Sequence, residues 1–303
     1  MNRRTFFKVT YGVSGLLVCR QSLFASDSSR NKKVIRFGVV TDLHYNNGKD
    51  AGDRSYKQSM NKLDEAITVF NKSDVDFVIE LGDFTDQWNN RNREQNFSAL
   101  DEIENEFKKF NGNRYHVLGN HDLDNLTKAD FLAHTENSGK AKGKNYYSFE
   151  QKGIKFIVLD GNYTADGSDN YLRNWKIAFI SDAQKVWLEK ELNTKRPVIV
   201  FTHQLLDSFS DDDSIKELCV GDAADIVEIL ERRNNVLAVF QGHCHWGHYS
   251  FQKGIHYFTL KSMIGDASPE NSSFAIVEVD KSLNISIDGF YKCEDKYLEK
   301  TKI

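Results

Sequence analysis

Val75-Asp76-Phe77-Val78-Ile79-Glu80-Leu81-Gly82-Asp83-Phe84-Thr85-Asp86 runs from an apolar, strand-like segment into a glycine turn that carries two carboxylates. Gly82 permits a tight turn and a close approach, so Asp83 would be displayed rigidly where the strand ends. The same arrangement recurs four times. Apolar residues 34–40 precede Asp42-Leu43-His44, and Val117-Leu118 precedes Gly119-Asn120-His121-Asp122. Residues 197–201 precede Thr202-His203, and 236–240 precede Gly242-His243-Cys244-His245. Every cluster lies where a strand hands over to a loop, the edge at which open α/β sheets bind ligands.

Helical patterns separate these strands. Leu63, Ala66, Ile67 and Phe70 share one helical face within 56–70, and Phe97, Leu100, Ile103, Phe107 and Phe110 recur at the same spacing. Residues 155–159 read as an apolar strand. Ser181 with Gln184 reads as a capping box opening a helix that buries Val186, Trp187 and Leu192, and 222–233 reads as another helix. After His245 the pattern changes to strands alone, at 249–251, 256–260, 274–279 and 285–291. The expected class is α/β, with two mixed sheets packed together and helices outside. From residue 33 to 303 there is no internal repeat and no long Pro/Gly/Ser stretch, and the two prolines are Pro197 and Pro269; one domain is expected.

The N-terminus reads as an export signal over 1–25. A basic segment with twin Arg3-Arg4, then Phe6-Phe7-Lys8, precedes a mostly apolar stretch too short to span a bilayer, and Ser22-Leu23-Phe24-Ala25 offers a cut site. The twin arginine points to the route that carries folded proteins, and so to the periplasm. A lipid anchor through Cys19 is the alternative. A polar linker, 26–32, follows.

The chain of 303 residues has 28% charged and 40% hydrophobic residues and a net charge of -4, an ordinary globular composition. Without the signal, 36 basic residues face 44 acidic ones. That balance argues against coating nucleic acid, which needs a basic face. Small phosphorylated substrates remain compatible, because a bound metal supplies positive field locally. No transmembrane span and no obligate protein partner is indicated. The cysteines, Cys19, Cys219, Cys244 and Cys293, form neither a disulfide framework nor a zinc motif; a Cys219–Cys293 bridge is conceivable. Cys244 should face away from its neighbours, because alternate residues of an extended segment point to opposite sides. Asp211-Asp212-Asp213 lacks the spacing of a calcium loop.

The clusters carry the chemistry together. Asp42 and His44, two apart, can face one ion. Asp83 alone in its turn can bridge two. Asn120 offers a carbonyl oxygen, and His203, His243 and His245 offer imidazole nitrogens. This oxygen and nitrogen set suits Mn, Fe or Zn rather than Ca. Two such ions can share a hydroxide and clamp a phosphoryl group for in-line attack. His121 beside Asp122 can handle the leaving-group proton.

The five blocks Asp-x-His, Gly-Asp-x-x-Asp, Gly-Asn-His-Asp, His and Gly-His-x-His resemble, in order, the signature of the calcineurin-like metallophosphoesterase superfamily. The resemblance implies a four-layer α/β/β/α sandwich and a dinuclear centre. Asp42, His44, Asp83 and His245 would hold one ion, and Asp83, Asn120, His203 and His243 the other. His121 would face the substrate, oriented by Asp122. Arg54-Ser55-Tyr56, Ser59, Leu63 and Glu80-Leu81-Gly82-Asp83, with 181–188 and 259–264, are more narrowly similar to manganese-dependent ADP-ribose/CDP-alcohol diphosphatases. That resemblance implies cleavage of pyrophosphate bonds in small nucleotide diphosphate conjugates. His44 departs from the Gln usual in the vertebrate members and restores the general ligand. Arg54, Tyr56 and Trp88 are candidate substrate contacts: Arg54 for a second phosphate, Trp88 or Tyr163 for stacking on a base. A phosphomonoesterase and a non-catalytic binding protein of the same fold are the alternatives.

Overall fold

In chain order the elements are β1 (Lys33–Val40), α1 (Gln58–Lys72), β2 (Phe77–Glu80), α2 (Arg93–Phe107), β3 (Asn113–His116), α3 (Lys128–His134), β4 (Tyr147–Gln151) and β5 (Ile154–Val158). Then come α4 (Asp182–Glu191), β6 (Val198–Thr202), α5 (Asp213–Lys216), α6 (Ala223–Glu231), β7 (Val236–Gln241), β8 (His248–Gln252), β9 (Ile255–Thr259), β10 (Ser273–Asp280), β11 (Ile285–Tyr291) and β12 (Lys296–Leu298). The computed structural model describes residues 33–86, 92–170, 174–210 and 212–300. The export signal, the 26–32 linker, Cys19, Trp88 and Asp211 lie outside the described residues.

Two six-stranded sheets form, ordered β12-β11-β10-β1-β2-β3 and β4-β5-β6-β7-β9-β8. In the first, β1, β2 and β3 are parallel and β10, β11 and β12 add antiparallel. In the second, β5, β6, β7 and β9 are parallel, with β4 and β8 antiparallel at the edges. The all-strand C-terminal stretch thus divides, completing both sheets. Phe37 and Phe77 of the first sheet meet Phe156, Phe201 and Phe240 of the second in one apolar layer. The helices α1 and α2 cover the outer face of the first sheet through Leu63, Phe70, Leu100 and Phe107. The helices α4 and α6 cover the second through Leu188, Ile226 and Leu230. The fold is the expected four-layer α/β/β/α sandwich.

Three local expectations change. Ser181 accepts from the Gln184 N–H, but the Gln184 side chain bonds the main chain of Asp160 instead of closing a box. It thereby ties α4 to the end of β5. Val186 is 53% exposed, and Leu188 takes the buried position, because the helix presents 184, 188 and 192 to the sheet. Cys219 and Cys293 are both unbridged and lie in different apolar clusters.

Candidate metal centre

The carboxyl ends of β1, β2, β3, β6 and β7 converge, so both sheets contribute to one site. The backbone there is unusual: Asp42 (φ 50), His44 (φ 49), Asp83 (φ 55) and His243 (φ 65) all occupy the left-handed region. Each such residue costs about 1–3 kcal/mol and persists only where its surroundings over-determine it. Here main-chain bonds do so: Asp42 N–H to Gly82 O (3.0 Å), His44 N–H to Asp83 O (2.8 Å) and Ile264 N–H to Asp42 O (2.9 Å). Gly82, at φ 102, has no room for a side chain, since a Cβ would stand 2.5 Å from His203 Nδ1. A Cβ on Gly119 would lie 2.0 Å from Asp83 N, so the two ligand loops touch through glycine.

Six of the seven expected ligands fall into two compact groups, Asp42–His44–His245 and Asp83–His203–His243. His245 Nε2 lies 3.3 Å and His44 Nε2 3.8 Å from Asp42 Oδ1. The two imidazole Nε2 atoms face each other at 3.1 Å, close enough for both to reach one ion. Asp83 Oδ2 joins the groups, 3.5 Å from His44 Nε2 and 3.3 Å from His203 Nε2. Asn120 Oδ1, the seventh, is 3.2 Å from His203 Nε2. His203 Nδ1 donates to Leu81 O at 2.9 Å, which aims the Nε2 lone pair into the site. His243 Nε2 is buried with no hydrogen-bond partner, and Asp42 Oδ1 has the His245 and His44 nitrogens beside it without hydrogen-bond geometry. Buried polar atoms are rarely left so; these two fit a pair of divalent cations.

Electrostatics point the same way. Burial alone would raise the Asp42 carboxyl, but His245 and His44 hold it well below the usual range. For Asp83, burial is likewise outweighed by His203, His121 and His44. Burial opposes a proton on His44, yet Asp42, Asp86 and Asp83 push it up to about 10. His203 rises to about 9, because Asp83 outweighs the same burial. His243 falls to about 3, through burial and then the His203 charge. Without metal, positive charge on His44 and His203 therefore balances the acids. Both protons must leave before those rings can ligate. Affinity for Mn²⁺ should therefore rise as pH climbs from about 6 to about 9, measured by chelator competition; a flat profile would show that no proton is displaced.

His121 stands over this floor, its ring centroid 4.9 Å from that of His44. Its carboxylate partner is not the expected one. His121 Nδ1 meets Asp124 Oδ2 at 2.7 Å. Asp122 faces the Asp83 turn, accepting from the N–H groups of Asp83 (3.1 Å), Thr85 (2.9 Å) and Gly119 (3.0 Å). The short 3-10 turn His121–Leu123 is the cause: the residue three positions on lies beside the ring. Burial, then the charges of Glu80 and Asp83, raise the Asp122 carboxyl to about 8.

Arg54 keeps a place at the rim, 32% exposed and 3.2 Å from Asp86 Oδ2. Tyr56, just before α1, is 3% exposed. The Tyr163 ring is covered by Lys128 Nζ at 3.3 Å. Trp88 lies outside the described residues. Sequence reasoning missed Asp86, whose Oδ2 is 3.3 Å from His44 Nδ1, and Asp124, although Gly-Asp-x-x-Asp and the spacing from His121 were both visible. It also missed Trp246, 58% exposed beside His245.

Among similar proteins, a manganese-dependent ADP-ribose/CDP-alcohol diphosphatase of Arabidopsis thaliana is 25% identical over 303 residues, covering 85% of this chain and 95% of its own. A serine/threonine-protein phosphatase of Mus musculus is 32% identical over 136 residues, 43% of this chain and 40% of its own. The crystal structure of a dimetal phosphatase from Danio rerio superposes with a TM-score of 0.76 at 20% identity, over 89% of this chain and 100% of that one. Residues 35–247, which hold all five clusters, match the calcineurin-like phosphoesterase family, and the chain belongs to it: a hydrolase of phosphoester or phosphoanhydride bonds.

Proposed function

We propose that the protein is an exported, manganese-dependent hydrolase that cleaves the pyrophosphate bond of small nucleotide diphosphate conjugates, of the ADP-ribose or CDP-alcohol type. The observation that carries the reading is Asp83 Oδ2, placed within 3.5 Å of His44 Nε2 and 3.3 Å of His203 Nε2, so that one carboxylate serves both ligand groups. Asp42, His44, Asp83 and His245 would hold one ion; Asp83, Asn120, His203 and His243 the other. The ions, when bound, supply Lewis acidity toward the phosphoryl oxygens and acidify the attacking water. This chain's residues do the rest. Arg54 takes a neighbouring phosphate, and His121, braced by Asp124, gives its proton to the leaving oxygen.

Trp246 supports a base-bearing substrate. The backbone on either side of it is fixed by Gly247 N–H to Cys244 O (2.8 Å) and by Ser262 N–H to His245 O (3.0 Å), and its indole is open to solvent beside a candidate ligand. Stacking of a base on an aromatic ring is worth about 1–3 kcal/mol. Trp246→Ala should therefore raise KM for ADP-ribose about tenfold or more and leave a base-free diphosphate ester unchanged; equal effects on both would remove stacking from the account. The whole reading is tested by a turnover panel with Mn²⁺. ADP-ribose or CDP-choline should outrun simple monoesters. Faster monoester turnover would favour a phosphomonoesterase, the activity suggested by the phosphatase relative.

Export rests on Arg3-Arg4, Phe6-Phe7 and the apolar stretch before Ala25, with a lipid anchor through Cys19 as the alternative. Among the described residues no helix is long and apolar enough to cross a membrane. Fractionation of cells, with and without Arg3→Lys and Arg4→Lys together, tests it: the variant should stay in the cytoplasm.

A further inference from the structure

Beneath the metal centre lies a charged group that the proposed chemistry does not use. Glu80, Glu104 and His116 are 0%, 1% and 2% exposed. The parallel register of β2 and β3 sets Glu80 directly beside His116, and α2 brings Glu104 to the other side of the ring. His116 Nε2 is 3.0 Å from Glu104 Oε2, and Nδ1 is 3.5 Å from Glu80 Oε2, charge contacts that lack hydrogen-bond geometry. Phe84, Phe107 and Phe131 wall the ring at centroid distances of 5.1, 4.9 and 5.9 Å. Burying three ionisable groups among phenylalanines is costly unless they pair, so the arrangement needs a return.

The other oxygen of Glu80 supplies one. Glu80 Oε1 accepts the Gly82 N–H at 2.5 Å, and Asp122 accepts the next N–H, that of Asp83, at 3.1 Å. Two successive amides of a turn with φ 102 and φ 55 are thus seated on the oxygens of buried carboxyl groups. This turn carries Asp83 itself. It also carries the Leu81 carbonyl that orients His203, at 2.9 Å from Nδ1. A slip of residues 80–83 would move the shared ligand and the orienting acceptor of a second ligand together.

We infer that Glu80, clamped by His116 and Glu104, is a positioning residue that holds the Gly82–Asp83 turn in its left-handed form and thereby sets retention of both metal ions. The inference rests on the dinuclear reading above. Burial disfavours a charge on His116, but Glu104 and Glu80 overcome it and lift the ring to about 9, so it stays a cation between them at neutral pH. Outer-shell partners of metal ligands are worth about 10–100-fold in affinity.

The test uses the full mature chain, Mn²⁺ alone as probe, chelator competition for affinity, and thermal melts of the metal-free protein. Glu80→Ala removes the acceptor and should weaken both ions by a common factor of about 10–100. Glu80→Gln keeps a carbonyl for the Gly82 N–H and should restore affinity to within about threefold of wild type, whatever it does to the melt. Glu104→Ala frees the far side of His116 and should weaken both ions by a smaller common factor. It also carries the test if Glu80→Ala does not fold. Folded variants that bind both ions as tightly as wild type, or that lose one ion alone, overturn the positioning role. A wild-type chain that takes up no Mn²⁺ overturns the dinuclear reading as well, and is told apart by that control.

Discussion

Asp83→Ala should empty both metal positions at once and lower kcat/KM by at least about 10³-fold, the several kcal/mol of charge stabilisation that bound ions provide. The expectation follows from the site's connectivity. Asp83 Oδ2 is the oxygen close to imidazoles of both ligand groups, and its partner Oδ1 accepts the His121 N–H at 2.8 Å. Its loss would therefore remove a ligand from each proposed ion and free the turn that seats His121. Asp42→Ala should behave differently, because Asp42 belongs to the His44–His245 group. It should strip one ion preferentially. Metal analysis after dialysis, with circular dichroism to confirm the fold, distinguishes the two variants. Retention of both ions by folded Asp83→Ala would remove Asp83 as the bridge.

His121→Ala is expected to lower kcat about 10²–10⁴-fold, the usual worth of a positioned proton donor, while leaving both ions in place. The loss should shrink for an aryl ester, whose leaving group needs no proton. The corrected partner makes a second contrast. Asp124→Asn should reproduce part of the His121 effect with metals retained, because Asp124 braces Nδ1. Asp122→Asn should instead weaken metal binding, because Asp122 holds the N–H groups of Asp83 and Thr85. An Asp122 variant that lost rate but no metal would return the orienting role to Asp122. A protein that bound its ions yet turned over nothing, with His121→Ala indistinguishable from wild type, would be a binding protein on a catalytic fold.

The layers and the convergence of the candidate ligands were legible because they rest on periodicity and on residue type at strand ends. Continuous apolar runs such as 236–240 could be placed as buried strands, and Asp, Asn and His after them could be placed at the sheet edge. Their role as ligands needed no side-chain geometry to be suspected. The errors lie where a contact depends on the turn. Adjacency in Asn120-His121-Asp122 suggested that Asp122 serves His121, but a 3-10 turn brings Asp124 to the ring and aims Asp122 at Asp83. The left-handed backbone of Asp42, His44, Asp83 and His243 carries a weak sequence mark, since Asp and His enter that region more readily than most residues, but the surrounding hydrogen bonds decide which of the chain's many Asp and His adopt it. The contacts of Glu80 were not legible either, because its partners come from β3 and α2, far along the chain.

The central claim is that one dinuclear centre, assembled from the ends of both sheets, performs the hydrolysis. The most direct measurement titrates Mn²⁺ into metal-free protein and records bound metal and ADP-ribose turnover on the same samples. The account predicts saturation at two ions per chain, with turnover appearing as the second ion binds. Saturation at one ion, or no hydrolysis of any phosphoester with Mn²⁺, Co²⁺, Fe²⁺ or Zn²⁺, would contradict it.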